Sequence, residues 1–210
     1  MRERPILFSA PMVRAILAGQ KTQTRRAVKW RGVDAGLNLQ FSGLRAIRDR
    51  AGLWALESDT RTSRETRCDL TPCPYGQPGD RLWVREAFAE EYDYCDHPEM
   101  PGAPTEHFHF GWHYRADGQP NRDDLEGFLS AWKPSIHMPR AVSRITLEIT
   151  GVRVERLHAI SEADSRAEGA VQHPDGPWHA FRSLWTLVNG AESWDANPWV
   201  WVVEFKRLEA

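Results

Sequence analysis

Gly19-Gln20-Lys21-Thr22-Gln23-Thr24-Arg25-Arg26 places an amine, two hydroxyls and two guanidiniums directly after a short amphipathic segment. Ser9-Ala10-Pro11 opens that segment. Ser9 stands at the cap position, and Pro11 falls in the first turn, where a missing N–H costs nothing. Met12, Val13, Ile16 and Leu17 fall on one face at helical spacing. Gly19 then supplies the left-handed residue that ends the helix. The polar octet is thereby anchored to a rigid element, which suits a functional site; its plain alternative is a solvated basic turn.

Working outward, the chain has 210 residues, 41% hydrophobic and 27% charged, enough for one domain with a sizeable core. Met1-Arg2-Glu3-Arg4-Pro5 lacks the apolar core of a signal peptide and no apolar run reaches membrane-spanning length, so a cytosolic protein without a membrane partner is expected. Cys68, Cys73 and Cys95 are an odd number and argue against a disulfide framework. With His97 they offer four potential zinc ligands, but the spacing is looser than in zinc knuckles, and reduced, unconnected thiols are expected instead. Charge is uneven. Residues 1–50 hold eleven Lys and Arg against three acidic residues, whereas residues 86–126 hold eleven acidic residues against Arg115 and Arg122. A nucleic-acid or nucleotide partner for the basic part accounts for this asymmetry, and so does packing of the two segments together.

Ile6-Leu7-Phe8 reads as a short buried strand before the helix. Residues 27–70 read as a loop-rich stretch containing a strand pair near Leu37 to Leu44 and Leu53 to Leu56. Thr71 to Asp80 is turn chemistry throughout. Arg81 to Phe88 reads as a strand. Residues 89–131 read as an acidic insertion with one aromatic strand, His107 to Tyr114, whose His107, His109 and His113 share a face at two-residue spacing. Ser143 to Arg156 is the longest alternating segment, one strand or two meeting at a bend at Gly151. Ser161-Glu162-Ala163-Asp164 starts a helix ended by Gly169. Pro177 starts another, with Phe181, Leu184, Trp185 and Val188 on one face. Trp199 to Phe205 closes the chain as a strand covered on both faces. Strands broken by short helices, without βαβ alternation, predict an α+β fold with a small curved sheet or barrel. Trp83, Trp199 and Trp201 are assigned to the core.

Lys21 and Thr24, three apart, project to the same side in a helical or tight-turn conformation. A lysine partly buried beside cations has a lowered pKa and can take the proton of a threonine hydroxyl. Arg25 and Arg26 supply that setting, or hold a phosphate, or polarise a carbonyl. A carboxylate is needed to orient the lysine, and spacing alone does not choose among Glu86, Glu162 and Glu168. Trp112 and Tyr114 offer a stacking surface for a pyrimidine, or pack against the sheet.

These residues resemble a known family. Gly19-x-Lys21-x-x-Thr24 after a strand and helix looks like the signature of ASCH domains, a branch of the PUA-like barrels. Gly79-Asp80-Arg81-Leu82-Trp83-Val84, Ile160 to Gly169, and Trp201 to Leu208 resemble three further pieces of that pattern in the same order. The resemblance implies a single PUA-like, ASCH-like α+β domain, a small curved β-barrel with flanking short helices and two expansions, at 27–70 and 89–131. Within that family the N4-acetylcytidine amidohydrolases use a Lys–Thr–Glu trio, which carries over onto Lys21, Thr24 and Glu168. It implies that Thr24 is the nucleophile, Lys21 its activating base, and Glu168 the residue that orients Lys21, without metal or cofactor. The substrate is then a small nucleoside or nucleobase, with Arg25, Arg26, Glu86, Trp112 and Tyr114 as candidate binding residues. The alternative is a module that binds RNA or a modified nucleobase, or a ribonuclease using the same basic cleft.

Overall fold

The structure, a computed structural model, describes residues 1–59, 64–95, 106–170 and 173–209. His97 lies outside the described residues, and with it the four-ligand zinc reading. The strands are β1 (Glu3–Leu7), β2 (Gln23–Ala27), β3 (Leu44–Arg48), β4 (Trp54–Asp59), β5 (Arg64–Thr66), β6 (Arg81–Arg85), β7 (Phe88–Cys95), β8 (Glu106–Tyr114), β9 (Phe128–Leu129), β10 (Thr146–Arg156) and β11 (Trp199–Leu208). The α-helices are α1 (Ala10–Leu17), α2 (Glu162–Ala167) and α3 (Pro177–Asn189). This is a mixed α+β fold dominated by sheets. A five-stranded sheet runs in the order β1-β6-β10-β11-β2, and two three-stranded sheets run β3-β4-β5 and β8-β7-β9. Among the described residues no helix is long and apolar enough to cross a membrane.

The five-stranded sheet carries the core. Trp201, Val203 and Phe205 of β11 pack with Ile6, Phe8, Leu82, Val84, Leu147 and Ile149, under Val13 and Ile16 of α1. Val200 and Val202, alternating with them, face the other way onto Leu157, Ile160, Phe181, Trp185 and Trp194. The closing strand is thus covered on both faces, because its apolar residues run without a polar alternate. β10 pairs with β11 along its length, with a register shift between Ile149 and Gly151 that places the expected bend.

Several expectations are corrected. In the 27–70 stretch the strand pair is β3 with β4, so regular structure begins at Leu44, where the Leu37 to Leu44 segment ends. The segment read as one strand from Arg81 to Phe88 stops at Arg85, and a further strand, β7, starts at Phe88. Its Glu90, Glu91 and Asp93 hide it from a hydrophobicity pattern. Trp83 is not a core residue: it alternates with buried Leu82 and Val84 and stands half-buried on the opposite face between Arg81 and Arg85. In α3 only Phe181 and Trp185 of the apolar face are buried, and Val188 is 54% exposed. The β7–β8 register shifts between Glu91 and Tyr92, which breaks the two-residue face of the histidines. His109 accordingly packs at a tilt against Trp112, with ring centroids 4.6 Å apart, while His113 Nε2 lies 2.7 Å from Glu91 Oε2.

Candidate active site

Helix α1 delivers the octet. Ser9 occupies the cap position but its side chain makes no capping bond; the first turn is closed instead by Val13 N–H donating to the Ser9 carbonyl. Gly19, at φ +70, turns the chain, and the N–H groups of Gln20 and Lys21 both donate to the Ala15 carbonyl. From there the backbone is extended, not helical. Lys21 forms an isolated antiparallel bridge with Glu168, and β2 then pairs with β11, Thr24 opposite Val203. The tight-turn geometry that would put Lys21 and Thr24 side by side is therefore absent. What relates them is Glu168, 147 residues after Lys21 in sequence.

Glu168 arrives at the end of α2, whose cap is the expected one: the Ser161 hydroxyl accepts from Asp164 N–H. Glu168 is the C-cap, and Gly169, at φ +78, takes the chain away. Here glycine is required twice over. A Cβ at Gly169 would lie 2.9 Å from Ala15 Cβ and 3.2 Å from Lys21 Cβ, and the backbone conformation itself disfavours a side chain. Gly169→Ala is therefore expected to destabilise the fold by about 1–3 kcal/mol and to displace Lys21, read as a lowered urea midpoint.

The Lys21 side chain is wholly buried. Its ammonium donates to the Glu168 carbonyl at 2.8 Å and to Glu168 Oε2 at 2.9 Å. Phe8 stacks beneath it, 5.6 Å from Nζ to the ring centroid, and Arg26 lies 5.6 Å from the same ring. Burial drives the Lys21 ammonium below its ordinary value of 10.5; Glu168 opposes that shift, and Arg26 and Arg25 add to it. A buried amine biased toward its uncharged form can act as a base.

Thr24 and Glu168 line one space of about 50 Å³ with Arg25, Arg26, Met12, Phe181 and Leu184. This space adjoins a cleft of about 400 Å³ between α1 and α3, since Met12, Glu168 and Leu184 line both. Glu168 lines both spaces, whereas Lys21 lines neither, so Glu168 is the residue that borders both the amine and the cleft. Arg26 donates from NH2 to the Leu7 carbonyl at 2.7 Å, while its buried Nε–H has no partner among the described residues.

The other sequence candidates are engaged elsewhere. Arg25 borders the small space beside Thr24, but its terminal nitrogens are not free to serve as a substrate cation. Its side chain is fully buried and directed onto Glu168, Glu155 and Asp164. Glu86 is buried and chelated by Arg144, at 3.0 and 3.2 Å, with Asp117 on the same guanidinium. Burial raises the Glu86 pKa against the lowering effect of Arg144. Trp112 and Tyr114 pack with Phe88, Met138 and Val142, and the Tyr114 hydroxyl donates to the Val142 carbonyl at 2.8 Å. The structure therefore gathers Thr24, Arg25, Arg26 and Glu168 around one space, with Lys21 held behind Glu168, and leaves Glu86, Trp112 and Tyr114 in a second cluster.

Residues not singled out from sequence complete the site. Gln23 Nε2 donates to the Asp164 carbonyl at 2.9 Å, and Arg153 donates to Asp164 at 2.9 Å and to Glu155 at 3.1 Å. Burial pushes the Asp164 carboxyl up, but Arg25 and Arg153 outweigh it and hold it below the usual carboxylate range. Arg153 and Glu155, two apart on β10, were the available signal: two charges on one face of a strand paired with an apolar one. Cys68 and Cys73 are buried, unpaired thiols whose pKa values burial raises, which makes them poor nucleophiles. Among the described residues no group of three or more His, Cys, Asp or Glu is arranged to hold a metal ion. Comparison of the chain with protein-family models, with curated proteins and with solved structures returns no match.

Proposed function

We propose that this chain is an amidohydrolase that removes acyl groups from the exocyclic N4 amine of cytidine-type nucleosides or bases, on an ASCH-like, PUA-like fold. The observation that carries this reading is a buried lysine, hydrogen-bonded to a glutamate that lines one cleft together with a threonine. In this reading the Thr24 hydroxyl attacks the acyl carbonyl carbon while its proton passes to the uncharged Lys21 amine. Unpartnered, buried Nε–H groups are available to the developing oxyanion from Arg26 and from Arg25 beside it. The C–N4 bond then breaks as the proton is delivered to N4, which releases the cytidine and leaves an acyl ester on Thr24. Water attacks that ester, the proton returns through Lys21 to the threonine oxygen, and the carboxylic acid departs. Glu168 holds the lysine and, lining the cleft, gives protons a route between amine and substrate.

The test is incubation with N4-acetylcytidine and with a bulkier N4-acylcytidine, with EDTA present, following cytidine by chromatography. Cytidine release is expected, and no release from either substrate would remove this substrate class. The pH dependence has a definite sign. Lys21 must be uncharged to act as base, so kcat/KM should rise with pH with a midpoint below the ordinary lysine value of 10.5. Stability should move in the same direction. Between the lowered folded pKa and the unfolded one the unfolded chain binds more protons, so this group's contribution grows as pH rises through that window. A profile flat across that window, in rate and in unfolding midpoint, would contradict the assignment of Lys21.

A second reading, an RNA- or modified-base-binding module without hydrolysis, is favoured by Trp83. Its ring is half-buried on the outer sheet face, with the Arg85 guanidinium 5.4 Å from it. An arginine-flanked ring of this kind stacks on bases. Its measurement is binding of single-stranded RNA at several salt concentrations, where steep salt dependence is expected.

A further inference from the structure

Arg25 has no exposed side-chain surface, and its two terminal nitrogens reach three carboxylates. NH1 donates to Glu168 Oε1 at 3.2 Å; NH2 lies 2.5 Å from Glu155 Oε1 and 3.2 Å from Asp164 Oδ2. Glu155 and Asp164 are tied in turn to Arg153, which also binds Glu204 nearer the surface. Charges therefore alternate from the buried amine outward: Lys21, Glu168, Arg25, then Glu155 and Asp164, then Arg153 and Glu204. Phe181 closes the other side of the Arg25 guanidinium, 5.8 Å from its ring centroid. Arg25 borders the space beside Thr24, but its terminal nitrogens are spent on carboxylates, and through Oε1 it determines where the Glu168 carboxylate stands.

We propose that Arg25 is a positioning residue for the Lys21–Glu168 pair: it holds Glu168 Oε1, so that only Oε2 faces the amine and the carboxylate stays at the wall of the cleft. Its consequence for hydrolysis rests on the amidohydrolase reading; its effect on the pair does not. The planar guanidinium spans two sides at once, one toward Glu168 and one toward β10 and α2, which a single ammonium does not. Without it Glu168 is released to pair with Lys21 alone, and one cation opposing the Lys21 charge is gone. The charged groups that face the amine are Glu168 from the end of α2, and Arg25 and Arg26 from β2. Both changes on removing Arg25 act in the same direction, toward a protonated lysine.

Two variants test this, Arg25→Met and the less disruptive Arg25→Lys. The chain has only four lysines, Lys21, Lys29, Lys133 and Lys206, so the Lys21 side-chain NMR signal is identified by its loss in Lys21→Met. In Arg25→Met the Lys21 titration midpoint is expected to rise by about one pH unit. Arg25→Lys should fall between it and wild type, since it restores the charge without the fork. Where hydrolysis is measurable, the kcat/KM profile should move to higher pH by the same amount. A Lys21 midpoint and rate profile unchanged in folded Arg25→Lys and Arg25→Met would overturn the proposal. If Arg25→Met does not fold, an unchanged midpoint in Arg25→Lys alone would overturn it. Absence of hydrolysis by the wild type sinks the amidohydrolase reading instead, and the NMR titration still decides the role of Arg25.

Discussion

Lys21→Met should reduce hydrolysis of an N4-acylcytidine by roughly 10³-fold while leaving the protein folded. The two parts of this result have separate causes. Activity falls because thioether sulfur does not take the threonine proton. The fold survives because methionine matches the length of the lysine stem and fills the same wholly buried position. The ammonium's anion among the described residues, Glu168, retains Arg25 as a partner at 3.2 Å. Breaking a buried pair from one side costs about 3–5 kcal/mol when the remaining charge is left alone, and less here because Arg25 still compensates Glu168. The thermal midpoint is therefore expected to fall modestly while the fold is retained, so that the loss of activity far exceeds the loss of stability. Retained turnover in Lys21→Met would remove the lysine from the chemistry.

Glu168→Ala should be the more damaging change to stability. It leaves two fully buried cations, Lys21 and Arg25, without the carboxylate they share. Breaking such a pair from the anionic side costs about 3–5 kcal/mol. The main-chain carbonyl of residue 168 still accepts from Lys21, so the loss is of charge compensation and not of every hydrogen bond. Glu168→Gln keeps the volume and one acceptor, and a smaller loss of about 1–3 kcal/mol is expected in urea titrations. Both variants should be inactive. Equal stability of Glu168→Ala and wild type would mean that the two cations are not held by this carboxylate.

Much of the site's local structure was legible from the chain. Gly19 and Gly169 were readable as helix ends, and both adopt positive φ. The capping of α2 by Ser161 and the double-sided burial of β11 followed from residue type and spacing. The pairing of Lys21 with a glutamate was not readable from spacing, since three glutamates were open and the contact spans 147 residues. Only the topology, with β2 beside β11 and α2 ending against α1, brings Glu168 to it.

Arg25 shows the limit more sharply. An arginine between Thr24 and Arg26 reads as one of a basic pair facing substrate. Strand alternation instead turns it to the opposite face from its neighbours, onto carboxylates that come from β10 and α2. Trp83 fails for the opposite reason: residue type says core, while its alternation with Leu82 and Val84 says otherwise, and alternation wins. Strand β7 was missed because its Glu91 is buried, held by His113 and by the N–H groups of Glu126 and Gly127. A charge satisfied by distant groups is invisible to a pattern of polarity.

Thr24 as nucleophile is tested directly by a rapid-mixing experiment with N4-acylcytidine on wild type and Thr24→Ala. Wild type should release cytidine and carry the acyl group on the peptide containing Thr24, identified by mass spectrometry after acid quench. Thr24→Ala should do neither while remaining folded. Cytidine release by Thr24→Ala at the wild-type rate would contradict the account, since the hydroxyl at the centre of the proposed chemistry would then be dispensable.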